Sequence, residues 1–346
     1  MMSAMQAVVF KDVGKYEVTT RPIPEIKKAD QMLVKVLAAS ICGTDVHILS
    51  DPPGYTATKD IVLGHEFVGE VVEVGSDVRT FKPGDRLICD NNLPCGVCPA
   101  CKEGHSNVCC NMVAMGVQID GIFSQYVVIP EHSAVSIPKD LPLERAIFAE
   151  PLNCIMGGVK KLKVMPGDTV LVLGGGPIGM YYTTLLKAEG AGTVLVSEIS
   201  EFRKEYAKKS GADRVINPKT EDLRAVVMEL TNGYGADIVV DAVGVLLGDA
   251  IACVKPAGQV LLFGLNESVS QTICEADIVK KDLTILGNWI GHDTLSTVGN
   301  MLASGNVNFD HLVTHKLPLK DFEIGLEAMR RGEAFEVILY PFDDIR

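Results

Sequence analysis

Residues 169–179 read TVLVLGGGPIG, and no other stretch of the 346-residue chain constrains its fold as tightly. A short apolar run passes directly into three glycines and then into IGMYYTTLLKAEGA, whose apolar positions recur at helical spacing. A strand that turns on glycine into a helix opens a parallel β–α unit. The pattern repeats downstream: TVLVSE precedes EFRKEYAKKSGA, RVIN precedes TEDLRAVVMELTNG, and ADIVVDAVG precedes the helix-like GDAIACVKPAG and then QVLLFGL. Apolar strands without polar alternation belong to a sheet covered on both faces. The spacing therefore predicts an α/β fold with a doubly wound parallel sheet over residues 156–290.

Within that first turn Gly174, Gly176 and Gly179 form G-x-G-x-x-G, with Pro177 and Ile178 between the last two. Glycine permits the tight turn and lets a pyrophosphate meet backbone N–H groups at the positive end of the helix, so the motif predicts a dinucleotide site. Glu198 closes the next strand at the separation where an acid grips the adenosine ribose hydroxyls, and a carboxylate there repels a 2′-phosphate. NAD is favoured over NADP on that ground. Arg203 has two readings, stacking on the adenine or lying solvated on its helix.

The first part of the chain is different in kind. Short β-rich runs (QAVVF, MLVKVLAAS, FVGEVVEVGS, RLICD, SQYVVIP) are punctuated by glycine and proline, which predicts a small barrel-like β domain over residues 1–155. The tail, residues 291–346, carries a helix-like stretch at Leu295 to Ser304 and ends in VILYPF, a strand able to rejoin the first domain. A discontinuous domain interrupted by the parallel one is the expected organisation.

Five of the ten cysteines lie between residues 91 and 110, in NNLPCGVCPACKEGHSNVCC. The N-terminal MMSAMQAVVFKDVG lacks the features of a signal peptide. No apolar run reaches the ~20 residues of a membrane helix. The chain reads as cytoplasmic, where clustered cysteines favour metal or catalysis over disulfides. Cys95, Cys98, Cys101 and Cys109 give C-x2-C-x2-C-x7-C in a lobe of about 90–112. Such spacing lets four thiolates reach a tetrahedron at zinc–sulfur distances of about 2.3 Å, a closed structural site. An iron–sulfur cluster is the competing occupant, and Cys110 is spare, packing beside Cys109.

SICGTDVH and VLGHEFVGE place Cys42, His65 and Glu66 on turns next to strands, and IFAEPLNC adds Glu150. A thiolate, an imidazole and a carboxylate suit zinc and leave a fourth position free, the mark of a catalytic site. Thr44 could pass a proton from a bound alcohol, through the cofactor ribose, to His47 near bulk water, and Asp45 could orient the His65 ring.

An open zinc site, a closed four-cysteine site and a dinucleotide fold, in this order, resemble the zinc-dependent medium-chain alcohol dehydrogenases. The likeness is carried by CGTDVH, GHE, PGDR, the cysteine lobe, AEPLNC, GGGPIG and LVTHKLPL, over essentially the whole chain. In detail it is closest to the polyol (sorbitol or iditol) and L-threonine dehydrogenase branch. The resemblance implies a GroES-like β-barrel catalytic domain, a Rossmann domain, two zinc ions per subunit and a homotetramer or homodimer. It implies Cys42, His65 and Glu66 as ligands of the catalytic zinc, with Glu150 binding directly or through water.

One departure stands out. Polyol dehydrogenases carry an Arg-Tyr pair after the last Rossmann strand, where GNWIGHDTLS has Ile290 and Gly291. Asn288, Trp289, His292 and Asp293 are the nearby replacements, and a less polar secondary alcohol gains ground against a polyol. The rivals are an L-threonine 3-dehydrogenase or sugar-acid dehydrogenase, and a non-catalytic NAD-binding module. A formal net charge of −12, with scattered basic residues, argues against nucleic acid and anionic membranes and for a small-molecule substrate.

Overall fold

The computed structural model describes residues 4–342; the ends of the chain, 1–3 and 343–346, lie outside the described residues. The chain divides into two compact units. One takes the chain up to Asn153 with His292–Asn306 and the part from Leu312 onward; the other takes Cys154–Gly291 and Val307–His311.

In the second unit six strands lie in the order Arg214–Ile216, Thr193–Ser197, Thr169–Leu173, Ala236–Asp241, Val254–Leu262, Thr284–Gly287, every neighbour parallel. This is the doubly wound order, and it reverses between Thr169–Leu173 and Ala236–Asp241, where ligands bind beyond the strand ends. Val170, Leu171, Val172 and Leu173 are all fully buried, as a strand covered on both faces requires. Part of the sequence reading needs adjusting here. The helix expected through GDAIACVKPAG stops at Cys253, and VKPAG already belongs to the strand Val254–Leu262. Pro256 cannot continue a helix, and Ala257 takes a left-handed φ of 57° where the ladder with Ala236–Asp241 slips register.

The first unit is built on antiparallel strands. Gln31–Ser40 is central, pairing with Glu66–Val74, with Tyr126–Pro130 and with the terminal strand Glu336–Tyr340, while Arg86–Cys89 and Ala134–Ile137 extend the sheet beyond Glu66–Val74. Met32, Val34, Val36 and Ala38 alternate along the central strand and are fully buried, joining Phe67, Leu87, Ile129 and Val337 in the core. The tail supplies the helix Leu295–Ser304 and the strand Val313–Pro318, which runs parallel to Glu336–Tyr340. The cysteine lobe has almost no apolar interior. It is closed at its base by the two-residue strands Asn92–Leu93 and Val113–Ala114. Among the described residues no helix is long and apolar enough to cross a membrane.

Candidate metal and dinucleotide sites

Strand pairing assembles the open site. Ser40, the last residue of the central strand, is directly opposite Glu66, the first of its neighbour. Cys42 therefore emerges beside His65 and Glu66, and one ligand atom from each of the three lies within 4.8 Å of the others. Gly64 makes this approach possible: its φ is 86°, and a Cβ there would stand 2.4 Å from the Phe123 ring. Cys42 then caps the short helix Gly43–Ile48, whose Asp45 carboxylate accepts the Cys42 N–H at 3.0 Å. Glu150, 7% exposed, sits in the first turn of the helix Ala149–Val159, where the helix dipole favours an anion.

The electrostatics point to a cation. Burial, with the charges of Asp45 and Glu150, pushes the Cys42 thiol up to about 12. Burial also raises Glu66 well above the carboxylate range, and Cys42, Glu336 and Glu150 add to that. Burial opposes a charged His65, yet Asp45, Glu150 and Glu66 hold its pKa above the usual value. His65 Nδ1 and Asp45 Oδ1 lie 3.9 Å apart, both buried and both without a hydrogen-bond partner. A divalent ion reverses every one of these penalties. With Nε2 committed to an ion, Nδ1–H would close on Asp45 toward the ordinary ~2.9 Å. The residues fit zinc.

Thr44 Oγ1 lies 3.7 Å from the Cys42 sulfur, and His47 is exposed one helical turn further on. No hydrogen bond joins Thr44 to His47 among the described residues, so a relay between them needs a bridging hydroxyl.

In the lobe the sulfurs of Cys95, Cys98, Cys101 and Cys109 also gather within 4.8 Å. Cys98 lies 3.5 Å from Cys101 and 3.8 Å from Cys109. A tetrahedron with bonds of about 2.3 Å has edges of about 3.8 Å, so the cluster is already zinc-sized. Backbone N–H groups of Cys95 and Asn111 both donate to Cys109 Sγ at 3.3 Å, and those of Cys101 and Cys110 bring Cys98 down to about 6. Cys110 departs from its expected packing beside Cys109: it is exposed, and its side chain meets Cys98.

At the dinucleotide site Gly174 has φ 96°, and a Cβ on Gly179 would fall 1.9 Å from the Gly174 carbonyl oxygen. Gly176 caps the helix Pro177–Ala188, with Pro177 at its first position and Ile178 next. Glu198 is fixed: Oε2 accepts the Gly175 N–H at 2.7 Å, and Oε1 accepts those of Ile199 and Ser200, each at 2.7 Å. The Arg203 guanidinium stands 3.9 Å from where a Gly176 Cβ would be, which places it against the glycine turn and not out along its helix. This cradle, closed to any side chain at Gly179 and open at Gly176, fits a dinucleotide phosphate.

Two groups escaped the sequence reading. Asp241, 1% exposed, accepts N–H bonds from Val243, Gly244 and Leu246 and so shapes the turn facing Gly174. Glu336, 2% exposed, accepts the Ser40 hydroxyl. The signal for each was an acid at the edge of an apolar strand, VVDAVG and FEVILY.

Among the candidate pocket residues, Asn288 spends its Nδ2 on the Cys154 and Ile290 carbonyls at 3.1 and 3.3 Å. His292 is 3.3 Å from Ser106 and 3.7 Å from Asp293, and Trp289 is 44% exposed. Ile290 and Asp293 have φ of 43° and 48°, a strained conformation for a β-branched residue above all.

Two family models match the chain, an alcohol dehydrogenase GroES-like domain over residues 28–139 and a zinc-binding dehydrogenase domain over residues 177–304. The L-threonine 3-dehydrogenase of Caldanaerobacter subterraneus subsp. tengcongensis is 36% identical over 98% of this chain and 100% of its own length. The sorbitol dehydrogenase of Bacillus subtilis is 33% identical over 97% of each. The crystal structure of a zinc-binding dehydrogenase from Sinorhizobium meliloti bound to NADP superposes with a TM-score of 0.93, at 33% identity, over 98% of this chain and 100% of that one. With both metal-sized clusters and the glycine cradle in place, the chain belongs to the zinc-dependent medium-chain alcohol dehydrogenases, a GroES-like and Rossmann protein that works with zinc and a nicotinamide cofactor.

Proposed function

We propose that the chain interconverts a secondary alcohol and its ketone using NAD and two zinc ions per subunit. The convergence of Cys42, His65 and Glu66 within 4.8 Å carries this reading. These three would hold the catalytic ion, with Glu150 bound directly or through water, and Cys95, Cys98, Cys101 and Cys109 the structural one. When bound, zinc supplies Lewis acidity toward the alcohol oxygen and the nicotinamide supplies the hydride acceptor.

The rest is done by the chain's own groups. Asp45 holds the His65 ring in one orientation. The Thr44 hydroxyl would accept the alcohol proton as it gives its own to a bridging hydroxyl, and exposed His47, on the same helix face, would take that proton on and release it to water. Gly176, Ile178 and Gly179 present backbone N–H groups to the pyrophosphate, while Gly174 makes the turn and Pro177, which has no N–H, fixes the first helical position. Glu198 meets the ribose hydroxyls and Arg203 the adenine side; the carboxylate is what supports NAD over NADP.

For the substrate, Ile290 and Gly291 in place of an Arg-Tyr pair favour a less polar secondary alcohol over a polyol. The buried Glu66, Glu150 and Glu336 disfavour an anionic sugar acid. L-Threonine is the second reading, supported by the relative of that name at 36% identity. We place the enzyme in the cytoplasm as a homotetramer or homodimer. NADH formation by the zinc-loaded protein across apolar secondary alcohols, polyols, sugar acids and L-threonine tests the reading. Turnover of an apolar alcohol with polyols inert is expected; a zinc-loaded protein inert toward every alcohol refutes it.

A further inference from the structure

Glu336 has no part in the chemistry so far described, yet it is buried at 2% exposure in a strand, Glu336–Tyr340, that is otherwise apolar and wholly buried. Burying a carboxylate is costly, so a strand that keeps one there needs a reason. One of its partners is the Ser40 hydroxyl, which donates to Oε1. Ser40 is the rung between three strands: it pairs with Glu66 on one side and Ile338 on the other. The Ile41 N–H donates to the Val337 carbonyl at 3.2 Å, carrying the ladder one residue beyond. Paired residues share a face, as do residues two apart in a strand. Ser40, Glu66 and Glu336 therefore lie on one face of the sheet, and Cys42 follows Ser40 by two residues in extended backbone.

We infer that Glu336 is a positioning residue of the open metal site, holding through Ser40 the spacing between Cys42 and Glu66. This rests on reading Cys42, His65 and Glu66 as zinc ligands. A strand from the far end of the chain thereby sets the geometry of ligands supplied by its beginning.

The test measures bound zinc in wild type, E336Q, E336D and S40A as free zinc is lowered with a graded chelator buffer, well below the unfolding temperature. C42A, retaining only the four-cysteine site, identifies which equivalent leaves first. E336Q and S40A are expected to release the open-site zinc at free-zinc concentrations about 10- to 100-fold above wild type. E336D should lie between, and the four-cysteine zinc should leave as in wild type throughout. Wild-type retention of the open-site zinc in folded E336Q and S40A overturns the inference. So does equal weakening of both sites, the result of a generally loosened fold. If E336Q does not fold, S40A, which loses a hydroxyl alone, decides by the same criterion. A wild type that binds zinc only at the four cysteines refutes the open-site reading itself, and this inference with it.

Discussion

Replacing Gly179 and Gly176 by alanine separates the two tasks of the glycine turn. At Gly179 the new Cβ would lie 1.9 Å from the Gly174 carbonyl oxygen and 3.0 Å from its carbon. Both are backbone atoms, so no side chain can swing away. The contact has to widen from 1.9 Å to beyond 3.0 Å, which moves the helix Pro177–Ala188 off the end of the strand Thr169–Leu173 by about that difference. Overpacking of this kind costs about 1–3 kcal/mol, or roughly 3–10 °C in Tm for a unit of this size. The same displacement lifts the N–H groups off the phosphate, and misplacement by about 1 Å costs on the order of 100-fold. At Gly176 the nearest atom to a new Cβ is the Arg203 Nη1 at 3.9 Å. G176A should therefore fold with a stability loss under about 1 kcal/mol, as an alanine cap implies, while its methyl group stands where the pyrophosphate must approach. NADH titration by fluorescence and thermal melts followed by circular dichroism separate the two effects. G179A should lose both stability and NADH affinity, and G176A affinity alone. A G179A protein with wild-type Tm would refute the steric reasoning, and a G176A protein with wild-type NADH affinity would refute the placing of the phosphate.

Three further outcomes follow from the geometry. C42A should keep its fold but lose the open-site zinc and turnover, whereas C98A, which breaks the 3.5 and 3.8 Å sulfur contacts, should lose the four-cysteine zinc and melt earlier; zinc analysis with melting curves checks both. E198Q removes a charged acceptor from the ribose, for which about 1.5–3 kcal/mol, or roughly 10- to 100-fold in NADH affinity, is expected, with the preference over NADPH reduced in parallel titrations. Burial works against the Asp213 carboxylate, but Lys187 and the Val194 N–H, each at 2.7 Å, hold its pKa below 3.8. A depressed acid adds stability above its unfolded pKa and loses it as pH falls through the folded one. Urea midpoints of wild type and D213N should therefore differ at pH 7 and converge in the acid range below 3.8; a gap that persists there, or is absent at pH 7, contradicts the pairing.

What the sequence made legible was local. Gly174, Gly176 and Gly179 lie within six residues and the four lobe cysteines within fifteen, so spacing alone implies which atoms meet. Cys42 and His65 are separated by the helix Gly43–Ile48 and the long irregular segment that follows it. Their meeting depends on the register Ser40↔Glu66, and alternating burial restricts a register without selecting one. The resemblance to a known family supplied that step. Glu336 was out of reach for a stronger reason: it is 296 residues from Ser40, and in FEVILY it reads as one acid in an apolar strand. Asp241 was missed because its work, three N–H bonds within five residues, is indistinguishable in sequence from an ordinary turn aspartate.

The two metal sites differ in how the protein prepares them. In the lobe, backbone N–H groups bring Cys98 down to about 6, while burial and the neighbouring sulfurs push Cys101 up to about 12. The open site has no lowered thiol. Cys42 is pushed up to about 12, and Asp45 and Glu66 are raised by burial, because acids have been gathered around one imidazole with too little positive charge to balance them. A cation there would relieve repulsion that the fold has built in, so the proposed zinc would be held largely through charge. Three gathered ligands of this kind would leave the proposed ion a position open to substrate, which a closed shell of four thiolates cannot do.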